Sequence, residues 1–218
     1  MIASSNPTSQ PLPETVVLLH GLWMPALVMR PLGRRLRHRG YRVKVFNYRS
    51  LTRTLADNAV RLAGFLRAQG GTKVHLVGHS LGGLVILQAL QSDPGLISGR
   101  IVLLGSPVNG SAVARRLYHR PGLRWLLGRS ARGGLLGNGP AWRGHQPLGV
   151  IAGNRPVGIG RIIGGLTGGH DGTVAVAETN LENATGTLQV DTTHTGLLAS
   201  REVAAEVCRF LKDARFSR

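Results

Sequence analysis

The stretch from Lys73 to Leu90 changes within a few residues from the pattern of a strand to that of a helix. Lys73 to Val77 is short, largely apolar and β-branched, which is typical of an interior strand of a parallel sheet. Leu84 to Leu90 consists mainly of helix-forming residues and is followed by the stop signal at 93–95. The sequence therefore predicts a sharp turn from a buried strand into a helix, centred on Ser80.

Glycines stand two residues before and two residues after Ser80, at Gly78 and Gly82. A strand can pass into a helix at one residue if that residue is strained and its neighbours carry no Cβ at the close backbone approach. Such a turn raises the serine hydroxyl above the sheet and leaves the amide of Leu81 free at the helix N-terminus. The spacing favours a nucleophilic serine over the alternative of an ordinary Gly/Ser loop.

Short apolar strands alternate with amphipathic helices along the 218 residues. Strands are predicted at 15–19, 41–46, 73–77, 100–104, 148–152 and 187–191. Helices are predicted over 25–39, 54–69, 84–90 and 202–212. This alternation predicts an α/β fold, with a mostly parallel sheet of about six strands and helices on both faces. Ligands bind at the carboxyl ends of the strands in such sheets.

Two segments fall outside this alternation. Residues 1–13 are rich in Ser, Pro and Gln, and we expect a flexible arm before a single domain at 14–215. Residues 108–146 fill a long gap between the fourth and fifth strands, where apolar residues and arginines interleave. This segment is either a cap or lid whose arginines meet an anionic interface, or an ordinary crossover helix followed by a loop at 128–144.

The formal net charge is +17, from 27 basic and 10 acidic residues. This charge favours an anionic partner, and we expect a membrane surface before nucleic acid. A biased base composition of the genome would enrich arginine equally well without any partner. We see no signal peptide or membrane-spanning run, so the expected location is cytoplasmic or peripheral to a membrane. One cysteine, Cys208, excludes an internal disulfide.

The motif Gly78-His79-Ser80-Leu81-Gly82-Gly83, with His20-Gly21 upstream, resembles the α/β-hydrolase superfamily and in particular its lipase/esterase branch. The resemblance extends from about residue 15 to residue 211, and we expect a compact form of that fold. It implies a serine nucleophile at Ser80, followed along the chain by an acid and then by a histidine.

The histidine implied by this chain order is His194, which follows the last predicted strand and precedes the C-terminal helix. The implied acid is Asp171, because His170-Asp171-Gly172-Thr173-Val174 resembles the family's Asp-Gly-x-Val segment. A plain Asp-Gly turn is the alternative for that segment. Asp93 and Asp191 are the other acid candidates.

An oxyanion hole needs two donors, and the resemblance assigns them to the amides of Leu22 and Leu81. The same resemblance places four further residues in the substrate pocket. They are His20, Gly21, Trp23 and His79. We see no spacing of metal ligands and expect no cofactor.

The resemblance implies a serine hydrolase that cleaves carboxylic esters of small molecules or lipids through an acyl-enzyme intermediate. A thioesterase, an acyltransferase or an amidase would use the same three side chains, and the sequence does not separate them. A different interpretation is a basic protein that binds an anionic surface and carries a vestigial site, with salt-sensitive binding.

Overall fold

The computed structural model describes residues 13–69 and 72–217. The predicted flexible arm at 1–13 lies outside the described residues, except for Pro13. Six strands form one sheet in the order β2-β1-β3-β4-β5-β6, and every neighbouring pair is parallel. The strands are β1 (Thr15–Leu19), β2 (Arg42–Phe46), β3 (Val74–His79), β4 (Ile101–Leu104), β5 (Leu148–Gly153) and β6 (Gly186–Val190).

Helices cover both faces of the sheet, which confirms the predicted α/β fold. The α-helices are α1 (Arg30–His38), α2 (Leu55–Arg67), α3 (Leu81–Ser92), α4 (Ala112–His119), α5 (Gly160–Ile163), α6 (Gly196–Ala199) and α7 (Arg201–Asp213). Short 3-10 helices cover Ala26–Met29, Arg124–Leu127, Arg129–Gly133 and Val176–Thr179. None of the helices in the described part of the chain is long and apolar enough to cross a membrane.

The strand residues alternate between two apolar cores, because successive side chains of a strand point to opposite faces. Val17 and Leu19 of β1 join the core beneath α2, α3 and α4. Val16 and Leu18 join the core beneath α1 and α7. All five residues of β1 are buried, which is the expected environment of an interior strand covered on both faces.

The strand order reverses between β1 and β3. The chain goes outward from β1 to β2 and then returns to the other side of β1 to form β3. The register places Leu19, the last residue of β1, beside Gly78 of β3. The segments that follow these two strands therefore emerge side by side, at the reversal point where open parallel sheets bind ligands.

The helix after β3 begins at Leu81, directly after the predicted turn at Ser80, although two glycines in its first turn are poor helix formers. Local structure departs from the sequence prediction in the segment between β4 and β5. The predicted loop at 128–144 is wrong in part, because Arg129–Gly133 form a 3-10 helix that packs against α2. Its Ser130 hydroxyl donates to the carbonyl of Arg53 at 2.7 Å, a long-range contact that local sequence patterns do not reveal.

Two glycines provide opposite tests of this packing. Gly64 lies inside α2, and a Cβ added there meets no atom within 4 Å. We expect Gly64→Ala to raise the free energy of unfolding by about 0.5–1 kcal/mol, because alanine restricts the unfolded chain more than glycine does. At Gly99 a Cβ would lie 2.1 Å from the carbonyl oxygen of Val74, so Gly99→Ala should lower the same quantity. Urea unfolding measures both, and effects of equal sign would contradict the packing.

Candidate active site

Ser80 occupies the turn between β3 and α3, and its backbone conformation is one that residues other than glycine rarely adopt. Its φ is 53° and its ψ is −123°. The Ser80 amide donates to the carbonyl of Leu104 on β4 at 2.9 Å, and the Ser80 carbonyl accepts from the amide of Gly83 at 3.0 Å. The strain at Ser80 is therefore held by hydrogen bonds on both sides of the turn, as strained residues at functional sites usually are.

The flanking glycines allow the backbone to approach closely at this turn. A Cβ on Gly78 would lie 2.6 Å from the amide nitrogen of Gly83. A Cβ on Gly82 would lie 2.7 Å from the carbonyl oxygens of Leu19 and His20. These separations are far below a normal contact, so glycine at both positions is a steric requirement of the turn.

Asp171 and His194 form a buried pair. The Nδ1 atom of His194 lies 2.6 Å from Oδ2 of Asp171, and the two residues are 6% and 1% exposed. The amides of Thr173 and Val174 donate to Oδ1 of Asp171 at 2.9 and 2.7 Å. The His194 amide also donates to the Asp171 carbonyl at 2.9 Å. With Nδ1 donating to the carboxylate, Nε2 of His194 is left to accept a proton.

The other acid candidates lie in different surroundings. The side chain of Asp191 is 71% exposed and pairs with Arg155 at 2.9 Å. Asp93 pairs with Arg67 at 2.8 Å beyond the end of α3. The structure thus brings Asp171, and neither of these two, to the imidazole of His194.

Ser80 and His194 line the same cavity, whose volume is about 280 Å³. Apolar side chains supply most of its walls, and charged Asp, Glu, Lys and Arg side chains of the described residues contribute nothing to its lining. Among the hydrogen bonds of those residues, none joins the Ser80 hydroxyl to the His194 ring. Such a contact commonly tightens when substrate binds.

Leu81 follows Ser80 in the chain, and Leu22 lines the same cavity as Ser80. Leu81 is the first residue of α3, and Leu22 lines the cavity from the loop after β1. In the described part of the chain, neither amide donates to another protein group. Gly21 lets this loop approach Ser80, because a Cβ on Gly21 would lie 3.1 Å from the Ser80 Cβ.

His20 and His79 are placed differently from the pocket position that the sequence predicts. Both are buried and neither lines the cavity, whereas Gly21 and Trp23 line it. The Nδ1 atom of His20 lies 2.9 Å from the carbonyl of Gly21, which fixes the loop that carries Leu22. Burial of His20 lowers its pKa below the ordinary value.

His79 supports the loop that carries the catalytic candidate His194. Its Nε2 atom lies 2.9 Å from the His194 carbonyl, and the two ring centroids are 4.5 Å apart. Complete burial, reinforced by the neighbouring His194 ring, holds the pKa of His79 well below its ordinary value. Its Nδ1 atom has no hydrogen-bond partner among the residues that the structure describes. His79 is therefore a neutral positioning group beneath the site.

Sequence reasoning missed one residue that shapes this site, Tyr48, and one long-range contact of Trp23. Tyr48 stacks on His20 at a centroid distance of 4.4 Å and donates its hydroxyl to the His20 carbonyl at 2.7 Å. The indole of Trp23 donates to the carbonyl of Leu126 at 2.6 Å and thereby joins the loop after β1 to the 3-10 helix at Arg124–Leu127. The position of Tyr48 just beyond β2, at the end of a predicted strand, was a signal that could have identified it. No local sequence pattern predicts the contact between Trp23 and Leu126.

No group of three or more potential metal-ligating side chains is present within residues 13–69 and 72–217. The reactive groups that the structure places at the described site are a hydroxyl, an imidazole–carboxylate pair and free backbone amides.

Comparison with known proteins agrees with this geometry. The family model described as "Alpha/beta hydrolase family" matches residues 16–205. A curated protein of Yersinia enterocolitica, named "Putative carbamate hydrolase RutD", is 39% identical over 66 residues, which are 30% of this chain and 23% of that protein.

Two solved structures extend the comparison to nearly the whole chain. A Bacillus licheniformis lipase, BlEst2 in its propeptide form, has a TM-score of 0.81 at 20% identity over 98% of this chain and 54% of that one. The metagenomic carboxyl esterase MGS0156 has a TM-score of 0.69 at 18% identity over 99% and 82%. At these identities the likeness shows the fold. The chain spans about half of the first structure and a quarter of the curated relative.

Burial of neutral histidines makes stability depend on pH. Burial holds the pKa values of His20, His75 and His79 below their ordinary values, so below about pH 6.5 the unfolded chain binds protons that the folded chain does not. The free energy of unfolding should therefore fall as the pH is lowered. Replacing His79 with Gln should reduce that dependence by up to about 1.4 kcal/mol per pH unit. Thermal unfolding at several pH values measures the slope.

The matched control is His119→Gln, which removes an exposed imidazole at the end of α4 instead of a buried one. Equal slopes for the wild type and His79→Gln would mean that His79 is not held neutral in the folded state.

Proposed function

We propose that the chain, which belongs to the alpha/beta hydrolase family, is a serine hydrolase that cleaves carboxylic acyl esters through an acyl-enzyme intermediate. The observation that carries the proposal is the buried Asp171–His194 pair, which adjoins the cavity that Ser80 also lines. A serine hydroxyl is a weak nucleophile at neutral pH and needs a base of this kind.

In the first half of the reaction, Nε2 of His194 takes the hydroxyl proton as Ser80 attacks the ester carbonyl. The carboxylate of Asp171 keeps the imidazole in the required tautomer and stabilises the imidazolium that forms. Two amide hydrogen bonds already fix this carboxylate, so little reorganisation accompanies the proton transfer.

The tetrahedral intermediate places negative charge on the former carbonyl oxygen. The amides of Leu22 and Leu81 are the proposed donors to that oxygen, and the positive end of the α3 dipole adds to their effect. Each donor of this type contributes roughly 3–4 kcal/mol to the stability of the transition state. His20 and Tyr48 hold the Leu22 loop in position.

The second half of the reaction regenerates the serine. The imidazolium of His194 protonates the departing alcohol, and the acyl group remains on Ser80. His194 then takes a proton from water, the resulting hydroxide attacks the acyl carbonyl, and the carboxylic acid leaves as the proton returns to Ser80. These steps need no cofactor.

The cavity supports an uncharged substrate with a short acyl group. Its volume of about 280 Å³ is at the lower end of the roughly 300–1,000 Å³ usual for ligand pockets. Its walls are mainly apolar, and an ionised group on the substrate would find no charged partner there. A thioester fits the same pocket, so parallel assays of oxygen esters and thioesters identify the preferred leaving group.

Ser80→Ala should lower kcat for a short p-nitrophenyl ester by roughly 10⁶-fold, because it removes the nucleophile. Asp171→Asn should lower kcat by roughly 10⁴-fold, because the amide favours the wrong histidine tautomer. Steady-state kinetics and labelling by a fluorophosphonate probe measure both effects.

The matched control for the acid is Asp93→Asn, which removes a surface ion pair and should retain nearly full activity. Full activity of Ser80→Ala would overturn the proposal. Equal losses of kcat in Asp93→Asn and Asp171→Asn would show that Asp171 is not the acid that orients His194.

Substrate size should be set by Leu127. This side chain is 2% exposed and separates the cavity from a larger groove on its other side. The wild type should hydrolyse butyryl esters with higher kcat/KM than decanoyl esters, because the cavity ends at this wall. Leu127→Ala should open the wall and raise relative activity on decanoyl esters roughly ten-fold or more, since each buried methylene contributes about 0.8 kcal/mol.

Leu66→Ala is the matched control, because Leu66 is equally buried but lies in α2 away from the cavity. It should lower stability without changing the ratio of the two activities. The milder Leu127→Val should give an intermediate ratio. Identical ratios in all four proteins would show that Leu127 does not limit the acyl group.

A further inference from the structure

Charge is distributed unevenly along this chain. Residues 94–170 contain ten arginines and no aspartate or glutamate, so all ten acidic residues lie outside this stretch. The stretch includes the β4–β5 segment (residues 105–147), which supplies Leu117, Leu127 and Leu135 to the cavity wall. Part of the excess positive charge therefore lies on the segment that forms one wall of the cavity.

Three of these arginines line a groove beside the cavity. Arg124, Arg129 and Arg132 share it with Trp125 and Leu51, and its volume is about 880 Å³. We call it the arginine groove. All three arginines are exposed, and none of them forms an ion pair with another described residue. Their guanidinium groups are available to an anionic ligand.

Exposed apolar side chains surround the same region. Trp125 and Ile162 are 72% and 84% exposed, and Val157 is 56% exposed at the cavity wall. Of the large apolar side chains that are exposed in the described residues, five line the cavity or the arginine groove, namely Trp23, Val157, Ile159, Leu51 and Trp125. Ile162 lies next to α4, and Leu27 and Val60 lie elsewhere. A concentration of apolar side chains of this kind marks an interaction surface.

Hydrogen bonds from α4 and a wall residue shared by the two openings join these parts into one surface. Arg116 and Arg120 of α4 donate to the carbonyl of Ile163 at 3.4 and 3.3 Å, which holds Ile162 beside the arginine-rich helix. Leu127 separates the arginine groove from the cavity, so the two openings are neighbours.

We propose that this surface docks the protein on a bilayer that contains anionic phospholipids. The arginine groove binds the phosphates of the headgroups, because guanidinium groups pair with phosphate through charge-assisted hydrogen bonds. Trp125 and Ile162 enter the interfacial region, where an indole places its apolar ring in the lipid and its N–H near water. The cavity that holds Ser80 then opens close to the lipid.

The apolar side chains favour a membrane over a dissolved polyanion. A nucleic acid or a polysaccharide would satisfy the three arginines but would leave Ile162 exposed to water. A bilayer satisfies both, since basic residues on an otherwise apolar surface are the usual composition of an interfacial binding site. This inference does not depend on the proposed catalytic activity.

The test compares two triple variants with equal loss of charge. The groove variant replaces the three arginines of the arginine groove by Arg124→Gln, Arg129→Gln and Arg132→Gln. The α1 variant replaces three arginines of α1, on the opposite face of the sheet, by Arg30→Gln, Arg34→Gln and Arg37→Gln. Co-sedimentation with vesicles of about one quarter phosphatidylglycerol in phosphatidylcholine measures the partition coefficient.

The groove variant should bind roughly 100-fold more weakly than the wild type, since each arginine near the bilayer contributes about a five-fold factor. The α1 variant should lose less than about three-fold, because charges beyond a Debye length of about 10 Å are screened. Circular dichroism confirms that both variants fold. Equal losses would mean that net charge alone governs binding and would overturn the proposal.

Trp125 tests the apolar part of the surface. Trp125→Ala should weaken vesicle binding several-fold, while Val60→Ala, at an equally exposed position on α2, should leave it unchanged. Brominated phosphatidylcholine in the vesicles should quench wild-type fluorescence, and Trp125→Phe should remove most of that quenching. Absence of quenching would overturn the proposal. Binding of heparin without binding to vesicles would assign the surface to a dissolved polyanion.

Discussion

The close backbone approach at Gly82 is the constraint on which the site depends. Its Cα lies so near the carbonyls of Leu19 and His20 that any Cβ would clash with both. The end of β1, the end of β3 and the start of α3 are thereby held together. Ser80 must then adopt its strained conformation, at a cost of roughly 1–3 kcal/mol. Burial of nearly the whole of α3 between the sheet and its neighbours offsets that cost.

The buried histidines of this fold lie in three different environments. His194 adjoins a carboxylate and lines the cavity, so it can exchange protons with a bound molecule. His20 and His79 are buried to a similar extent but do not line the cavity, and burial keeps them neutral. His75 lies at the other end of β3 and pairs with Glu14. Burial of a histidine therefore does not by itself indicate a catalytic role, whereas an adjacent carboxylate together with access to a cavity does.

The strong positive charge and the cavity are physically separate. Ionised side chains of the described residues do not line the cavity, although the stretch that builds much of its wall carries ten arginines. Arg124, Arg129 and Arg132 of that stretch are exposed, whereas Leu117, Leu127 and Leu135 face the cavity. The charge can therefore act on where the protein is located without altering which uncharged molecule enters the cavity, and the two properties can be changed independently.

The sequence alone determined the order of strands and helices, the turn at Ser80 and the family resemblance, because all of these depend on residues close together in the chain. Apolar periodicity and glycine spacing are local properties, and they were sufficient for the parallel sheet. Tertiary structure decided which acid meets His194, since Asp171 and Asp191 are both within reach along the chain and differ in burial. It also decided that His79 does not line the cavity and that Trp23 contacts Leu126. Contacts of this kind join residues distant in sequence, and their partners are fixed only when the chain packs.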